Sequence, residues 1–348
     1  MNAYQWLRMF GNIKSTRTKL LGLLMLHLLR KRYIGVFLDP SLACNLRCRM
    51  CYFSDPNHKI EPPVNFKPEE LRLIAQALFH RTLKLQIGCG AEPTMYGRLE
   101  EIVELGKRYG VPYVSLTTNG KLLSAEKLTR LAEAGLDELT LSCHGLTAQT
   151  YEHLMTGAHF ADFIRLLADI RHVKETHPRL KLRINYTLNA DNVEELSRFD
   201  EVFAHCTPDI LQLRPIQHIG DSDYQNFSLN KIAECYDRVI TPLAAHCAER
   251  HTTCLLPGRD NLTTIEAREA GADTRSRGAE AALEELTYCY IAPGACWKPD
   301  FDFRHDTFES YCRRQHRTRY IMGRLFGKGR RKKADRSVTQ RLNYKIKG

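Results

Sequence analysis

The chain has 348 residues, is 43% hydrophobic and carries a net charge of +11, which excludes general disorder and allows one large domain with a small appendage. Residues 1–38 contain seven Lys or Arg and no acid, and residues 313–348 contain fourteen against Asp335 alone, so an acidic body lies between two basic ends. Twelve cysteines without a visible signal peptide point away from a secreted disulfide framework and toward metal ligation or buried thiols in a reducing cytoplasm.

In chain order, residues 1–32 read as basic, apolar helices, with Trp6, Phe10 and Ile13 at helical spacing and the decad LLGLLMLHLL at residues 20–29. Ten apolar residues cannot span a bilayer, but flanked by Lys19, Arg30, Lys31 and Arg32 they suit its interface. A helix packed across the end of a barrel is the competing reading. Strand-like runs follow at Tyr33–Leu38, Leu83–Gly88, Tyr113–Thr117, Glu138–Ser142, Leu180–Leu188 and Ile210–Pro215, with amphipathic helices such as PEELRLIAQALFHR between them. Parallel neighbours need helical crossovers, so six βα units predict an open, partial barrel over residues 33–228.

The first strand leads into CNLRCRMC, which holds Cys44, Cys48 and Cys51 on a loop at the C-terminal end of a strand, where α/β barrels keep their chemistry. Three thiolates in eight residues suit either an iron–sulfur cluster with one open iron or a zinc site closed by a fourth ligand such as His58. Later strands end in polar segments expected on the same rim. These are GCGAEPTMY with Gly90, Ala91, Glu92 and Pro93, TTNG with Asn119, LSCHG with Ser142, Cys143 and His144, Asn185 in RINYTL, and Arg214 in LQLRP.

Taken together, these motifs make residues 33–216 resemble the radical S-adenosylmethionine (SAM) superfamily. Cys44, Cys48 and Cys51 match its Cys-x3-Cys-x2-Cys motif, and Gly90–Pro93 loosely match its glycine-glycine-glutamate-proline motif. The resemblance implies a partial (βα)6 TIM-like barrel and a [4Fe–4S] cluster that binds SAM at its open iron. It further implies reductive cleavage of SAM to a 5′-deoxyadenosyl radical that abstracts hydrogen from a substrate, with a flavodoxin or ferredoxin as electron donor. Met50 stands where relatives carry a residue whose backbone meets adenine, and Gly90 allows close approach of backbone to ligand. Glu92 suits the ammonium of SAM, while Ser142, Asn185, Asn119 and Arg214 suit its carboxylate and ribose. Ala91 replaces a usual glycine, and His144 replaces a usual aspartate two residues after the serine. His144 is expected to titrate near neutral pH as a proton relay or substrate contact.

Residues 229–320 are expected to form a C-terminal extension, with a helix over 229–250 and a second cysteine group of Cys254, Cys289, Cys296 and Cys312. It is similar to a shortened SPASM or twitch extension, which implies a second, auxiliary [4Fe–4S] cluster. The alternative is structural thiols under Trp297, Phe301, Phe303 and Phe308. Residues 321–348 read as a disordered basic tail. The substrate expected is a peptide, protein, or glycan- or lipid-linked molecule, in a cytoplasmic enzyme associated peripherally with the membrane. Two alternatives are a radical SAM enzyme modifying RNA and a non-catalytic, zinc-stabilised nucleic-acid-binding protein.

Overall fold

The computed structural model describes residues 13, 15–57, 64–217, 221–259, 262 and 282–326. The strands form one nine-stranded sheet in the order β7-β6-β5-β4-β3-β2-β1-β8-β9. The six expected strands are β1 (Ile34–Leu38), β2 (Thr82–Ile87), β3 (Tyr113–Thr118), β4 (Glu138–Cys143), β5 (Lys181–Leu188) and β6 (Ile210–Pro215), each parallel to its neighbour. They build the expected partial barrel.

Residues assigned in sequence to the extension enter this same sheet. β7 (Thr253–Leu255) pairs parallel to β6, β8 (Tyr288–Ala292) pairs parallel to β1, and β9 (Ala295–Cys296) turns back on β8. β7 and β9 are not bonded to each other, so the sheet stays open along one side.

Alternation within the strands gives the sheet two unlike faces. Leu85, Ile87, Val114, Leu116, Leu139, Leu141, Leu182, Ile184, Leu211 and Leu213 are buried in the main core beneath the helices. A Cβ at Gly106, on the helix Leu99–Arg108, would lie 3.0 Å from Val114 and 3.1 Å from Leu85, which shows how closely that helix packs. The intervening residues are polar and bond across strands on the lumen side. Glu138 accepts from Tyr113 Oη at 2.6 Å and from Arg183 at 2.8 Å, and Arg183 donates to Gln212 at 3.1 Å.

The first described helix, Thr16–Leu28, turns Leu20, Leu23 and Leu24 inward and packs beside the last one, Arg317–Leu325. Residues 321–325 are therefore helical rather than tail, because Ile321 is buried in the core. The expected helix over 229–250 forms as Asn230–Cys235 and Thr241–Glu249, joined by a π-helical turn at Tyr236–Ile240. His58, Trp6, Phe10 and the tail from residue 327 onward lie outside the described residues.

Candidate active site

The cysteine loop leaves β1 at Asp39 and is held by main-chain bonds on several sides. Arg47 N donates to Thr156 O at 2.9 Å, Arg49 N to Leu154 O at 2.9 Å, and Cys51 N to Cys48 O at 2.9 Å. The Arg47 guanidinium donates to the carbonyls of Cys44 at 2.9 Å and Leu46 at 2.8 Å. Leu46, almost fully buried, anchors the loop between its first two cysteines.

Cys44, Cys48 and Cys51 are free thiols. Burial pushes Cys44 up to about 11, and raises Cys48 and Cys51 as well. Cys48 is raised further by the proximity of Cys51 and Cys44. Among the described residues no three His, Cys, Asp or Glu side chains converge on a single metal ion. A cubane asks for one thiolate per iron rather than for convergence on one ion, and three free thiols on one loop meet that demand while leaving one iron open.

The second strand's loop is locked to the first. Gly88 closes β2 with φ +84°, and a Cβ there would fall 2.3 Å from Thr117 O, so only glycine fits. Asp39, almost fully buried, then accepts from Cys89 N at 2.6 Å, Gly90 N at 3.0 Å and Tyr290 Oη of β8 at 2.8 Å. Tyr52 Oη donates to Gly90 O at 2.8 Å, and Glu92 N donates to Ala43 O at 2.9 Å.

Glu92 is anchored by the protein's own donors, chiefly through one of its two carboxylate oxygens. Its buried carboxylate accepts from Thr94 N at 3.0 Å, Thr94 Oγ1 at 2.5 Å, Thr118 Oγ1 at 2.6 Å and Asn119 N at 2.8 Å. Oε1 takes three of these donors, so this oxygen is satisfied within the protein and the residue ties the cysteine loop to the end of β3. Asn119 follows into the site, donating to Asn45 Oδ1 at 2.8 Å and lying 4.0 Å from Cys44 Sγ.

On the far side of the rim, Ser142 and Asn185 stand opposite each other in β4 and β5, and Arg214 stands opposite Thr187. Asn185 Oδ1, His144 Nδ1, Asn45 Nδ2 and Ser41 Oγ are buried atoms with no hydrogen-bond partner. Such atoms are costly unless a polar ligand meets them, which fits a zwitterionic group such as SAM bound across this rim. Met50 packs with Leu154, Ile216 and Tyr224, and its sulfur receives Asn189 Nδ2 at 3.1 Å.

Two side chains look exposed by surface area yet behave as enclosed. Burial raises the Cys89 thiol, and burial lowers the Arg214 guanidinium.

His144 was expected to titrate near neutral pH; burial, aided by Arg214, pushes its imidazole down to about 4. The unfolded chain protonates this residue below its ordinary value of 6.5 while the folded chain does not, so stability is lost as pH falls from 6.5 toward about 4. A His144→Gln variant, followed by denaturant unfolding across that range, should show a shallower loss; an unchanged slope would remove His144 as its source.

In the second cysteine group, Cys254 sits on β7 and its thiol lies beside that of Cys247. Cys289, on β8, lies near Cys296 and Cys312. Cys289 accepts the indole N–H of Trp297 at 3.0 Å, and Trp297 meets Phe301 edge-on at 4.6 Å, an aromatic cover of the kind expected over structural thiols.

Residues missed in sequence include Asp39, Thr118 and Asn192, whose side chain donates to His144 O at 2.9 Å and Thr187 O at 2.8 Å. Asp39 had one local signal, a carboxylate directly after the apolar run of β1.

A family model described as the Radical SAM superfamily matches residues 38–199. A probable GTP 3′,8-cyclase of Metallosphaera sedula is 29% identical over 211 residues, covering 60% of this chain and 64% of the relative. One of Sulfolobus acidocaldarius is 28% identical over 181 residues, covering 51% and 54%. The chain thus spans between about half and two thirds of the curated relatives it matches. Among solved structures, Streptococcus suis SuiB bound to S-adenosylmethionine superposes with a TM-score of 0.56 at 18% identity, covering 77% of this chain and 61% of that one. anSMEcpe with bound AdoMet gives 0.52 at 16%, covering 64% and 61%. At these identities the structural likeness carries the fold.

Proposed function

Because residues 38–199 match the radical SAM family model, we propose that the chain is a radical SAM enzyme whose working rim is the C-terminal edge of β1–β6. The observation that carries this reading is the trio Cys44, Cys48 and Cys51, held on a loop that Glu92 and Asn119 tie to the neighbouring strands. Bound there, a [4Fe–4S] cluster and SAM would supply one-electron cleavage of SAM and the hydrogen-abstracting 5′-deoxyadenosyl radical.

The protein's own part is to position and enclose. Cys44, Cys48 and Cys51 hold the cluster once deprotonated. Asn45, Asn185 and Ser142 present amide and hydroxyl groups to the methionine and ribose ends of SAM. Asp39 and Gly88 fix the Cys89–Gly90 backbone where it approaches the ligand. Lys84 and Arg183 flank the Glu138 carboxylate on the lumen face, and Arg214 follows at the end of β6, a cationic balance that favours a substrate carrying an oxyanion.

The open side between β7 and β9 would admit a segment of a larger molecule, which supports a peptide, protein, or glycan- or lipid-linked substrate. A nucleotide is the second reading, favoured by the lumen cations and by relatives named as probable GTP 3′,8-cyclases. Anaerobic reconstitution with iron and sulfide, then SAM and reductant, should yield 5′-deoxyadenosine. Added GTP should leave that yield unchanged if the first reading holds, and should raise it with GTP consumption if the second does. A chain that takes up zinc and cleaves no SAM would end both.

A further inference from the structure

A strongly cationic cavity lies at the end opposite the cysteine loop. It lies by the N-terminal ends of β1, β2 and β8, has a volume of about 380 Å3, and is lined by five arginines: Arg30, Arg81, Arg313, Arg317 and Arg319. Glu309 is the one carboxylate among its described lining residues.

Two of these arginines are buried parts of the fold. Arg81 pairs with Glu309 at 2.7 Å and donates to Lys31 O at 2.9 Å, and Arg317 donates to Leu286 O at 3.1 Å and lies over Phe308. The other three are exposed, and among the described residues their side chains make no ion pair or hydrogen bond. His27, on the same wall, registers the field. Burial together with Arg81 and Arg317 pushes its imidazole down to about 4.

Beside this cavity runs an apolar stripe. On the helix Thr16–Leu28 and its last turn, Leu21, Met25, Leu28 and Leu29 recur at i, i+4, i+7 and i+8 and are 50%, 51%, 56% and 59% exposed. The adjoining helix adds Met322 at 44% and, just past its end, Phe326 at 67%. Clustered apolar exposure of this kind marks an interaction surface.

We infer that this end of the molecule docks on an anionic phospholipid surface, with lipid phosphates entering the arginine cavity and the Leu21–Leu29 stripe resting in the interface. A helix of 13 residues is about 20 Å long, too short to span a core of about 30 Å, so it lies in the surface rather than crossing. Charge complementarity decides the occupant. The chain's own ends are basic, with nine Lys or Arg against Asp335 in residues 327–348 and no acid in residues 1–14, so neither suits the cavity. A second copy would set arginines against arginines across a two-fold interface. RNA would meet the arginines but leave the apolar stripe in water. The cysteine rim, at the other end of strands five to six residues long, would then stand clear of the surface.

The test uses the full chain and vesicles of phosphatidylcholine with or without phosphatidylglycerol. Binding should require the anionic lipid and weaken as salt rises. It should fall roughly tenfold or more in Arg313→Ala/Arg319→Ala, which loses two headgroup contacts. It should fall comparably in Leu21→Ser/Met25→Ser, with the melting temperature of both variants close to that of the parent. Equal binding to both vesicle types, or binding untouched in either double variant, overturns the proposal and places the contact elsewhere. A dimer abolished by Leu21→Ser/Met25→Ser without vesicle binding would assign the stripe to a second copy. Stabilisation by inorganic phosphate without vesicle binding would leave a soluble phosphate site instead. Either result overturns lipid docking.

Discussion

A Cys48→Ala chain, reconstituted anaerobically with iron and sulfide, is expected to lose its iron–sulfur absorbance and hold at least tenfold less iron than the parent, which should hold about four per chain. Burial raises the Cys48 thiol, and both Cys51 and Cys44 add to the rise, so Cys48 has each of the other two nearby. SAM cleavage should disappear with the cluster. The substitution removes one sulfur and leaves the main-chain bonds of the loop in place, so the cluster-free variant should unfold within about 1 kcal/mol of the cluster-free parent. Full iron content in the variant would show that the trio is not the ligand set. Loss of iron together with early unfolding would make Cys48 a structural thiol.

Glu138→Ala should be the most destabilising substitution in the barrel, by about 3–5 kcal/mol in denaturant unfolding at pH 7. Glu138 is 1% exposed and faces Arg183, 9% exposed, at 2.8 Å, with Tyr113 donating at 2.6 Å and Lys84 nearby. Removing the carboxylate leaves a buried guanidinium without its counter-charge, which costs more than the pair contributes. Glu138→Leu/Arg183→Leu, which removes both charges, should recover most of the loss. A single variant as stable as the parent would show that water already solvates Arg183 in the lumen.

The same pair predicts a pH effect of known sign. Burial works against ionisation of Glu138, but Arg183 and Lys84 outweigh it and hold the carboxyl below its ordinary value of 4.5. Its contribution is therefore present above pH 4.5 and is lost as pH falls through the lower, folded value. Glu138→Ala should lack that acid-side component.

The six barrel strands were legible because each carries its own pattern, a run of apolar residues at period two closed by a polar or glycine-rich segment. β7, β8 and β9 were not legible, for they are three, five and two residues long and gain their partners only through distant chain. β8 finds β1 some 250 residues away, and that pairing brings Tyr290 to Asp39 at 2.8 Å. Glu92 was legible as a rim carboxylate, but its anchoring to Thr118 and Asn119 was not, because those donors reach it only once β3 packs beside β2.

What the sequence determined alone is the chemistry of the cysteine loop. Three soft ligands within eight residues define a half-site by local connectivity, and the order of polar strand ends places it on a barrel rim. The tertiary structure alone decided everything that depends on burial and on charges from distant segments. It buries the His144 imidazole, sets Cys254 beside Cys247, and gathers Arg30, Arg81, Arg313, Arg317 and Arg319 around one cavity at the opposite end. Ligand identity is written in side-chain chemistry at short range, whereas desolvation and electrostatic field exist only once remote segments have packed together.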